Sequence, residues 1–230
     1  MRVQGLQKLT LLDFPERVAC TVFTAGCNFR CPFCHNASLV THIPEHADTD
    51  EETFFKFLKK RQGILDGVCV TGGEPLLQSD IDQFIRRIKE LGYAVKLDTN
   101  GSFPEKLQYL VKEGLVDYVA MDIKNSLSCY GETIGMDHRY DEAIAQSAAF
   151  LLGNHVDYEF RTTVTKNFHT EERFEEIGKW IQGAKRYYLQ GFVDSGDLIE
   201  QNIDGVSKEE MELFLKKVKP YIPNAELRGV

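Results

Sequence analysis

Three closely spaced cysteines, Cys27, Cys31 and Cys34, form a C-x3-C-x2-C pattern and are the residues of this chain best suited to metal chemistry. Thiolates on one loop can converge on an iron–sulfur cluster, a zinc ion or cuprous copper, because these centres favour soft sulfur ligands. A four-iron cluster held by only three cysteines leaves one iron open, so we expect a substrate or cofactor to bind there. The alternatives are a structural zinc ion closed by His35 and a chance group of buried thiols.

Polar residues follow several apolar, β-branched runs that we predict to be buried strands. Thr71 to Pro75 follow the second run, Asp98 to Gly101 the third, and Asp122 to Lys124 the fourth. The carboxyl ends of parallel strands meet at one face, so these groups should surround a single site together with the cysteine loop. Within the first group, Glu74 is an acceptor suited to an ammonium group, and the two preceding glycines would let the backbone approach a ligand closely. A plain turn is the alternative for this segment.

Strands and helices alternate along the 230 residues, which predicts an α/β fold. Strict alternation implies parallel strands with helices outside, because a parallel pair needs a long crossover connection. A complete eight-unit barrel takes about 250 residues, so six units predict a partial (β/α)6 TIM-like barrel that is open on one side. The predicted strands are Val18–Phe23, Val68–Thr71, Ala94–Thr99, Val116–Ile123, Tyr158–Thr165 and Tyr187–Leu189.

No repeat, low-complexity tract or linker divides the sequence, so residues 1–230 are predicted to form one domain. An N-terminal extension covers residues 1–16, and a long cysteine loop covers residues 24–44, a length that is typical of functional loops. Capping boxes beginning at Thr49 and Ser207 predict the starts of the first and last helices.

Composition disfavours two classes of protein, those that bind nucleic acids and those that span membranes. A formal net charge of −8 disfavours nucleic-acid binding, which depends on Lys and Arg neutralising phosphates. No run of eighteen apolar residues occurs, so we expect no membrane span. Six cysteines without a disulfide-like framework, three of them needed as reduced thiols, predict a cytoplasmic protein.

The cysteine pattern with Phe33 before its last member, followed by Gly72-Gly73-Glu74-Pro75, resembles the radical S-adenosylmethionine (SAM) superfamily. The resemblance implies that the three cysteines hold a [4Fe–4S] cluster, whose fourth iron is chelated by the methionyl amine and carboxylate of SAM. It also implies that the Gly-Gly-Glu segment meets the SAM amino group and that the backbone of Phe33 meets the adenine.

Within the superfamily, the sequence further resembles the glycyl-radical-enzyme activases through Cys34-His35-Asn36, Asp98-Thr99-Asn100-Gly101 and Met121-Asp122-Ile123-Lys124. By this resemblance Lys124 contacts the SAM carboxylate, while Asp98, Thr99 and Asp122 surround a monovalent cation beside it. In the alternative, the two aspartates cap strand ends and pair with Lys124. Arg161 and Gln190, at the ends of the fifth and sixth strands, are candidates for SAM ribose or carboxylate contacts and equally for structural roles.

The segment Gly5–Pro15 is similar to anaerobic ribonucleoside-triphosphate reductase activating proteins, although Glu16 and Ala25 stand where those proteins usually have glycine. This resemblance implies that an electron from flavodoxin or ferredoxin cleaves SAM into methionine and a 5′-deoxyadenosyl radical. The radical would abstract hydrogen from a glycine Cα of a large reductase, inserted through the open side of the barrel.

Two rival functions remain. One is a radical SAM enzyme that acts on a small molecule or on another glycyl-radical enzyme. The other is a non-enzymatic module that binds zinc or a cluster. The Gly-Gly-Glu-Pro segment and the motifs at Asp98 and Lys124 disfavour the module.

Overall fold

A computed structural model describes residues 1–43, 45–46 and 49–229, so Pro44, the last residue of the predicted cysteine loop, lies outside the described residues. Within these residues, eight strands form one sheet in which spatial order follows chain order. The strands are β1 (Val3–Thr10), β2 (Ala19–Thr24), β3 (Gly67–Gly72), β4 (Ala94–Thr99), β5 (Tyr118–Asp122), β6 (Asp157–Val164), β7 (Tyr187–Gly191) and β8 (Ala225–Arg228).

Strands β2 to β8 pair in parallel, and β1 pairs antiparallel with β2. Helices fill the crossovers that such parallel pairs require. They are α1 (Ala37–Val40), α2 (Glu51–Lys60), α3 (Ile81–Glu90), α4 (Pro104–Lys112), α5 (Tyr130–Thr133), α6 (Asp141–Leu152), α7 (Glu171–Trp180) and α8 (Lys208–Val218), with short 3-10 turns at Pro75–Leu77, Leu127–Cys129 and His138–Tyr140. The predicted open α/β architecture with six parallel strand–helix units is thereby confirmed.

The helices cover the sheet with one amphipathic face each. On α2 and α3 the buried residues include Phe54, Phe55 and Phe84, and the rings of Phe54 and Phe84 stack with centroids 5.3 Å apart. Apolar residues of the strands, such as Val70 and Leu97, are fully buried in the same core. Within the described part of the chain, no helix is both long enough and apolar enough to cross a membrane.

Neither edge strand of the sheet was predicted from the sequence. Strand β1 lies in the predicted N-terminal extension, where mixed polar and apolar residues hide the strand, and β8 is only four residues long. The predicted capping box at Thr49 was wrong, because Thr49 forms a bridge with Val3 and the cap of α2 is Asp50, whose Oδ1 accepts from the Thr53 amide at 2.8 Å. The capping box at Ser207 is confirmed.

Candidate functional site

A cavity of about 430 Å³ lies at the carboxyl ends of the parallel strands. The predicted site residues are almost all in its wall, although they come from six different segments of the chain. The lining residues are Asp13, Cys27, Phe29, Cys31, Phe33, Cys34, His35, Asn36, Val40, Thr71, Gly72, Gly73, Asp98, Thr99, Asn100, Asp122, Lys124, Arg161, Thr163 and Gln190.

Backbone hydrogen bonds at both ends hold the cysteine loop over this cavity. The Gly26 amide donates to the Leu39 carbonyl at 2.8 Å, and the Arg30 amide donates to the Ile134 carbonyl at 2.8 Å. Gly26 needs its positive φ of 86° to turn the chain out of β2, a conformation that side chains disfavour. The predicted loop is partly ordered by α1, which begins just after the last cysteine.

The three thiols are sheltered from water. Burial raises the pKa of Cys27 to about 11 and that of Cys31 to about 12, and it also raises the pKa of Cys34. All three are therefore protonated at neutral pH in the metal-free chain. A metal centre must displace these protons as it binds.

His35 lines the same cavity, but its ring stacks on Phe192 with centroids 5.2 Å apart. Across residues 1–43, 45–46 and 49–229, no three His, Cys, Asp or Glu side chains are grouped closely enough to hold a single metal ion.

The Gly-Gly segment after β3 is in tight contact with the start of the cysteine loop. The Gly73 amide donates to the Thr24 carbonyl at 3.0 Å, and the Glu74 amide donates to the Gly26 carbonyl at 2.8 Å. A Cβ atom on Gly73 would lie 2.0 Å from the Gly26 carbonyl oxygen, so a larger residue cannot occupy this position without moving the backbone. The glycines thus bring two backbone segments together at the wall of the cavity.

Glu74 occupies a different place from the cavity-facing residues. Its carboxylate is fully buried and accepts from the Leu76 amide at 2.9 Å, from Thr99 Oγ1 at 2.9 Å and from the Asn100 amide at 2.6 Å. Burial raises the pKa of Glu74 to about 7, although these donors favour the charged form. The side chain joins the ends of β3 and β4 beneath the cavity wall.

Charged side chains from β4, β5 and β6 form a continuous chain across the cavity floor. Arg161 bridges the two aspartates: its Nε donates to Asp122 Oδ1 at 3.0 Å, and its Nη1 donates to Asp98 Oδ2 at 3.3 Å. Lys124 Nζ donates to Asp122 Oδ2 at 2.9 Å, and Lys96 Nζ donates to Asp98 Oδ1. The pairing of Asp122 with Lys124 is the one weighed from the sequence, whereas Lys96 was not predicted.

These pairs keep every member charged. Burial alone would raise the pKa of Asp122, but Lys124 and Arg161 hold it lower, at about 2. Burial would likewise raise the pKa of Asp98, but Arg161 and Lys96 hold it below its ordinary value. Glu159, which lies 4.0 Å from Arg161, and its partner Arg228 extend the network, so four cations and three anions leave it with one excess positive charge.

His169 is a further residue that the sequence analysis missed. It is buried under the cysteine loop, with its ring centroid 6.4 Å from that of Phe33. Its Nε2 is 2.9 Å from the Lys124 carbonyl oxygen, and its Nδ1 accepts from the Thr165 amide at 3.1 Å. The ring therefore connects the loops after β5 and β6 with the residue expected to meet adenine.

Comparison with known proteins agrees with this geometry. Residues 21–181 match the radical SAM superfamily. A protein of Methanocaldococcus jannaschii with the provisional name of a glycyl-radical enzyme activating enzyme is 32% identical over 236 residues, which covers 99% of this chain and 96% of the relative. The pyruvate formate-lyase-activating enzyme of Listeria monocytogenes is 31% identical over 134 residues, which covers 54% of this chain and 53% of that enzyme.

The fold has counterparts among solved structures. Streptococcus suis SuiB bound to S-adenosylmethionine superposes with a TM-score of 0.69 at 15% identity, over 91% of this chain and 52% of SuiB. The family match covers most of the chain, and the M. jannaschii relative matches it almost from end to end. The chain is therefore an enzyme of the radical SAM superfamily, homologous to the glycyl-radical enzyme activating enzymes.

Proposed function

We propose that this enzyme cleaves SAM reductively at a [4Fe–4S] cluster and installs a glycyl radical on anaerobic ribonucleoside-triphosphate reductase. The observation that carries the proposal is the meeting of the three cysteines, Gly72, Gly73, Lys124 and Arg161 in the wall of one cavity. Family membership implies the cluster and SAM. The choice of reductase rests on the similarity of segment Gly5–Pro15.

The cysteine loop suits the implied cluster. Three thiols from the cysteine loop line the cavity, and Asn100 Nδ2 is 3.7 Å from the sulfur of Cys27, at hydrogen-bonding distance for sulfur. The amide of Phe29 also donates to Cys27 Sγ at 3.4 Å. Such donors to cluster sulfurs tune reduction potential. Cys27, Cys31 and Cys34 would hold the cluster and leave its fourth iron to SAM.

The remaining wall suits the amino-acid end of SAM. Lys124 and Arg161 place cationic groups of the positively charged network in the cavity wall, which favours a carboxylate, and Asn36 fixes the Gly72 carbonyl by donating to it at 3.1 Å. Phe33 would present its backbone to adenine, and Gln190 offers a polar side chain in the same cavity for the ribose. Glu74 would act on the SAM amine through the backbone that it holds. When bound, the cluster and SAM supply a 5′-deoxyadenosyl radical.

A large glycyl-radical protein fits as the partner. The homologous relatives are activating enzymes of such proteins, and the sheet is open between β1 and β8, where a glycine loop could enter. A flavodoxin or ferredoxin would deliver the electron. The Listeria relative favours another glycyl-radical enzyme, a formate-lyase, as the second candidate substrate.

The first test separates radical chemistry from a structural metal site. We expect anaerobic reconstitution with iron and sulfide to give a reduced-cluster electron paramagnetic resonance signal that changes when SAM is added, with release of 5′-deoxyadenosine. Cys31→Ala should abolish both, while Cys20→Ala should retain both, because Cys20 is buried in β2 outside the cavity. Stoichiometric zinc without cluster or nucleoside would overturn the proposal.

The identity of the partner is tested by adding candidate proteins to the same reconstituted enzyme with SAM. Addition of the purified large subunit of an anaerobic ribonucleoside-triphosphate reductase should produce a glycyl-radical signal, whereas a pyruvate formate-lyase should produce none. The reverse result would transfer the function to the second candidate.

A further inference from the structure

Lys96 is a lysine enclosed inside the barrel, with 1% of its side chain exposed. It precedes Asp98 by two positions on β4, so both side chains point to the same inner face of the sheet. Its Nζ donates to Asp98 Oδ1 and lies 3.8 Å from Cys69 Sγ. A fully buried lysine is rare unless it is paired, and nothing in the proposed reaction yet uses this one.

The carboxylates expected to hold a monovalent cation already have cationic partners from the chain. Asp98 Oδ1 pairs with Lys96 and Oδ2 with Arg161 at 3.3 Å, while Asp122 Oδ1 pairs with Arg161 at 3.0 Å and Oδ2 with Lys124 at 2.9 Å. The hydroxyl of Thr99, the third expected ligand, donates to Glu74.

The charges of these side chains also disfavour an additional cation. Lys96, Arg161 and Lys124 carry three positive charges against the two negative charges of Asp98 and Asp122, and Glu159 and Arg228 extend the network with one charge of each sign. A potassium or sodium ion added among them would raise the local excess from one positive charge to two, in a partly buried site where repulsion is screened less than in water. The residues present do not fit an additional cation.

We propose that the ammonium group of Lys96 takes the place of a monovalent cation in this enzyme and is a positioning residue for the SAM site. By occupying Asp98 Oδ1, it leaves Oδ2 for Arg161 and so holds the guanidinium against Asp122 beside Lys124. The role toward SAM rests on the proposed function, whereas the role as an internal cation does not.

The test uses Lys96→Met, which keeps the length of the side chain and removes its charge. Asp98 then keeps Arg161 as its cationic partner and the Cys69 thiol as a weak donor to Oδ1, and an external potassium ion can replace the lost ammonium. Melting temperatures of the cluster-free protein are measured in choline chloride and in potassium chloride at equal ionic strength. We expect potassium to raise the melting temperature of Lys96→Met by about 5 °C and to leave that of the wild type unchanged.

Two further variants define the effect. Lys56→Met removes an exposed lysine of α2 and should melt like the wild type in both salts. The double variant Lys96→Met/Asp98→Asn removes both charges of the pair, so it should fold and show no response to potassium. If Lys96→Met alone fails to fold in choline, we expect potassium to restore its folding, whereas the double variant should fold in either salt.

Equilibrium binding of SAM to the cluster-loaded protein supplies the second readout. In choline, the Kd of Lys96→Met for SAM should be about tenfold higher than that of the wild type. In potassium or ammonium, the Kd should return towards the wild-type value. Lys96→Arg should restore much of the affinity. A wild-type enzyme whose melting or SAM affinity requires potassium, or a Lys96→Met protein indifferent to it, would overturn the proposal. Failure of nucleoside release with the expected melting pattern would reject only the proposed function.

Discussion

His169 is a neutral, buried ring whose two nitrogens face fixed partners. Nε2 donates to the carbonyl of Lys124, and Nδ1 accepts from the amide of Thr165. Burial lowers the pKa of His169 to about 4, because the charged ring would lose water without gaining a carboxylate. The protein therefore holds this ring neutral down to a pH at which the unfolded chain has already protonated it.

That difference predicts an acid-sensitive stability. Between pH 6.5 and about 4 the unfolded state binds a proton at residue 169 and the folded state does not, so this group lowers the free energy of unfolding as pH drops through the window. Glu74 contributes with the opposite sign, because its pKa of about 7 makes the folded state bind the extra proton there. The loss from His169 is on the order of 3 kcal/mol, and no further change from this group is expected above pH 6.5. Urea unfolding of the cluster-free wild type and of His169→Gln, which does not titrate at this position, measures the loss at several pH values as the difference between the two profiles. Parallel profiles would contradict the assignment.

At the level of single residues, the sequence was informative where a motif is local. The three cysteines and the strand-end aspartates are found in the cavity wall, as their spacing led us to expect. Lys96 and His169 could not be found in this way, because their roles depend on partners from other strands and loops. A weak signal existed for Lys96, since a charged residue alternating with Asp98 inside an apolar run indicates a polar inner face.

The backbones of β3 and of the cysteine loop are in very close contact where these two elements meet. The Gly73 amide donates to the last residue of β2, and its Cα packs against the carbonyl of Gly26. The position of the cysteines relative to the sheet therefore depends on the absence of one side chain.

Gly73→Ala should displace the cysteine loop. A Cβ atom would lie 2.0 Å from a carbonyl oxygen of the backbone, which no rotamer change can relieve. We expect a loss of stability of about 1 to 3 kcal/mol and reduced iron incorporation after reconstitution. Iron and sulfide analysis per chain measures the second effect.

Gly5→Ala is the matched control. A Cβ atom there meets the Phe23 ring at an ordinary 3.5 Å, and neither glycine has a positive φ. Equal iron loading in Gly73→Ala and in this control would show that this backbone contact does not position the loop.

Elements with a strong pattern were predicted to within a few residues, and β4 was predicted with its observed bounds, Ala94–Thr99. The edge strand β8 was missed because Ala225–Arg228 has no β-branched residue and its pairing with β7 is decided by position in the fold. Strand β1 was missed for a similar reason, since its polar half, including Gln7 and Lys8, is exposed.

At the scale of the whole molecule, an open sheet divides its strands into central and edge members. Strands β3 to β6 each have hydrogen-bonded neighbours on both sides, whereas β1 and β8 have one neighbour each among the described residues. Edge strands have fewer contacts to lose on local opening.

We expect amide hydrogen exchange to follow that order. Amides of Ala94–Thr99 should exchange far more slowly than those of Ala225–Arg228, because local opening at the edge disrupts one ladder instead of two. Exchange measured by mass spectrometry on the cluster-free protein tests this. Equal protection at both places would indicate that something further covers β8 in solution.

The overall architecture was predictable because alternation of strands and helices leaves few topologies with right-handed parallel crossovers. The charged network inside the barrel was not predictable, because each strand carries only one or two of its charged residues. Glu159, for example, accepts from Tyr118 of β5 and from Arg228 of β8, so its environment exists only after three strands have assembled.

The pairing inside the barrel also has an evolutionary meaning. A chain that lost Lys96 would leave a buried carboxylate unpaired, unless it also lost Asp98 or bound a cation from solution. On the proposed role of Lys96, its ammonium group and a dissolved potassium ion would balance the same carboxylate. Among descendants of a common ancestor, residue 96 should therefore record whether a lineage relies on the ionic composition of its cell or carries its own counter-ion.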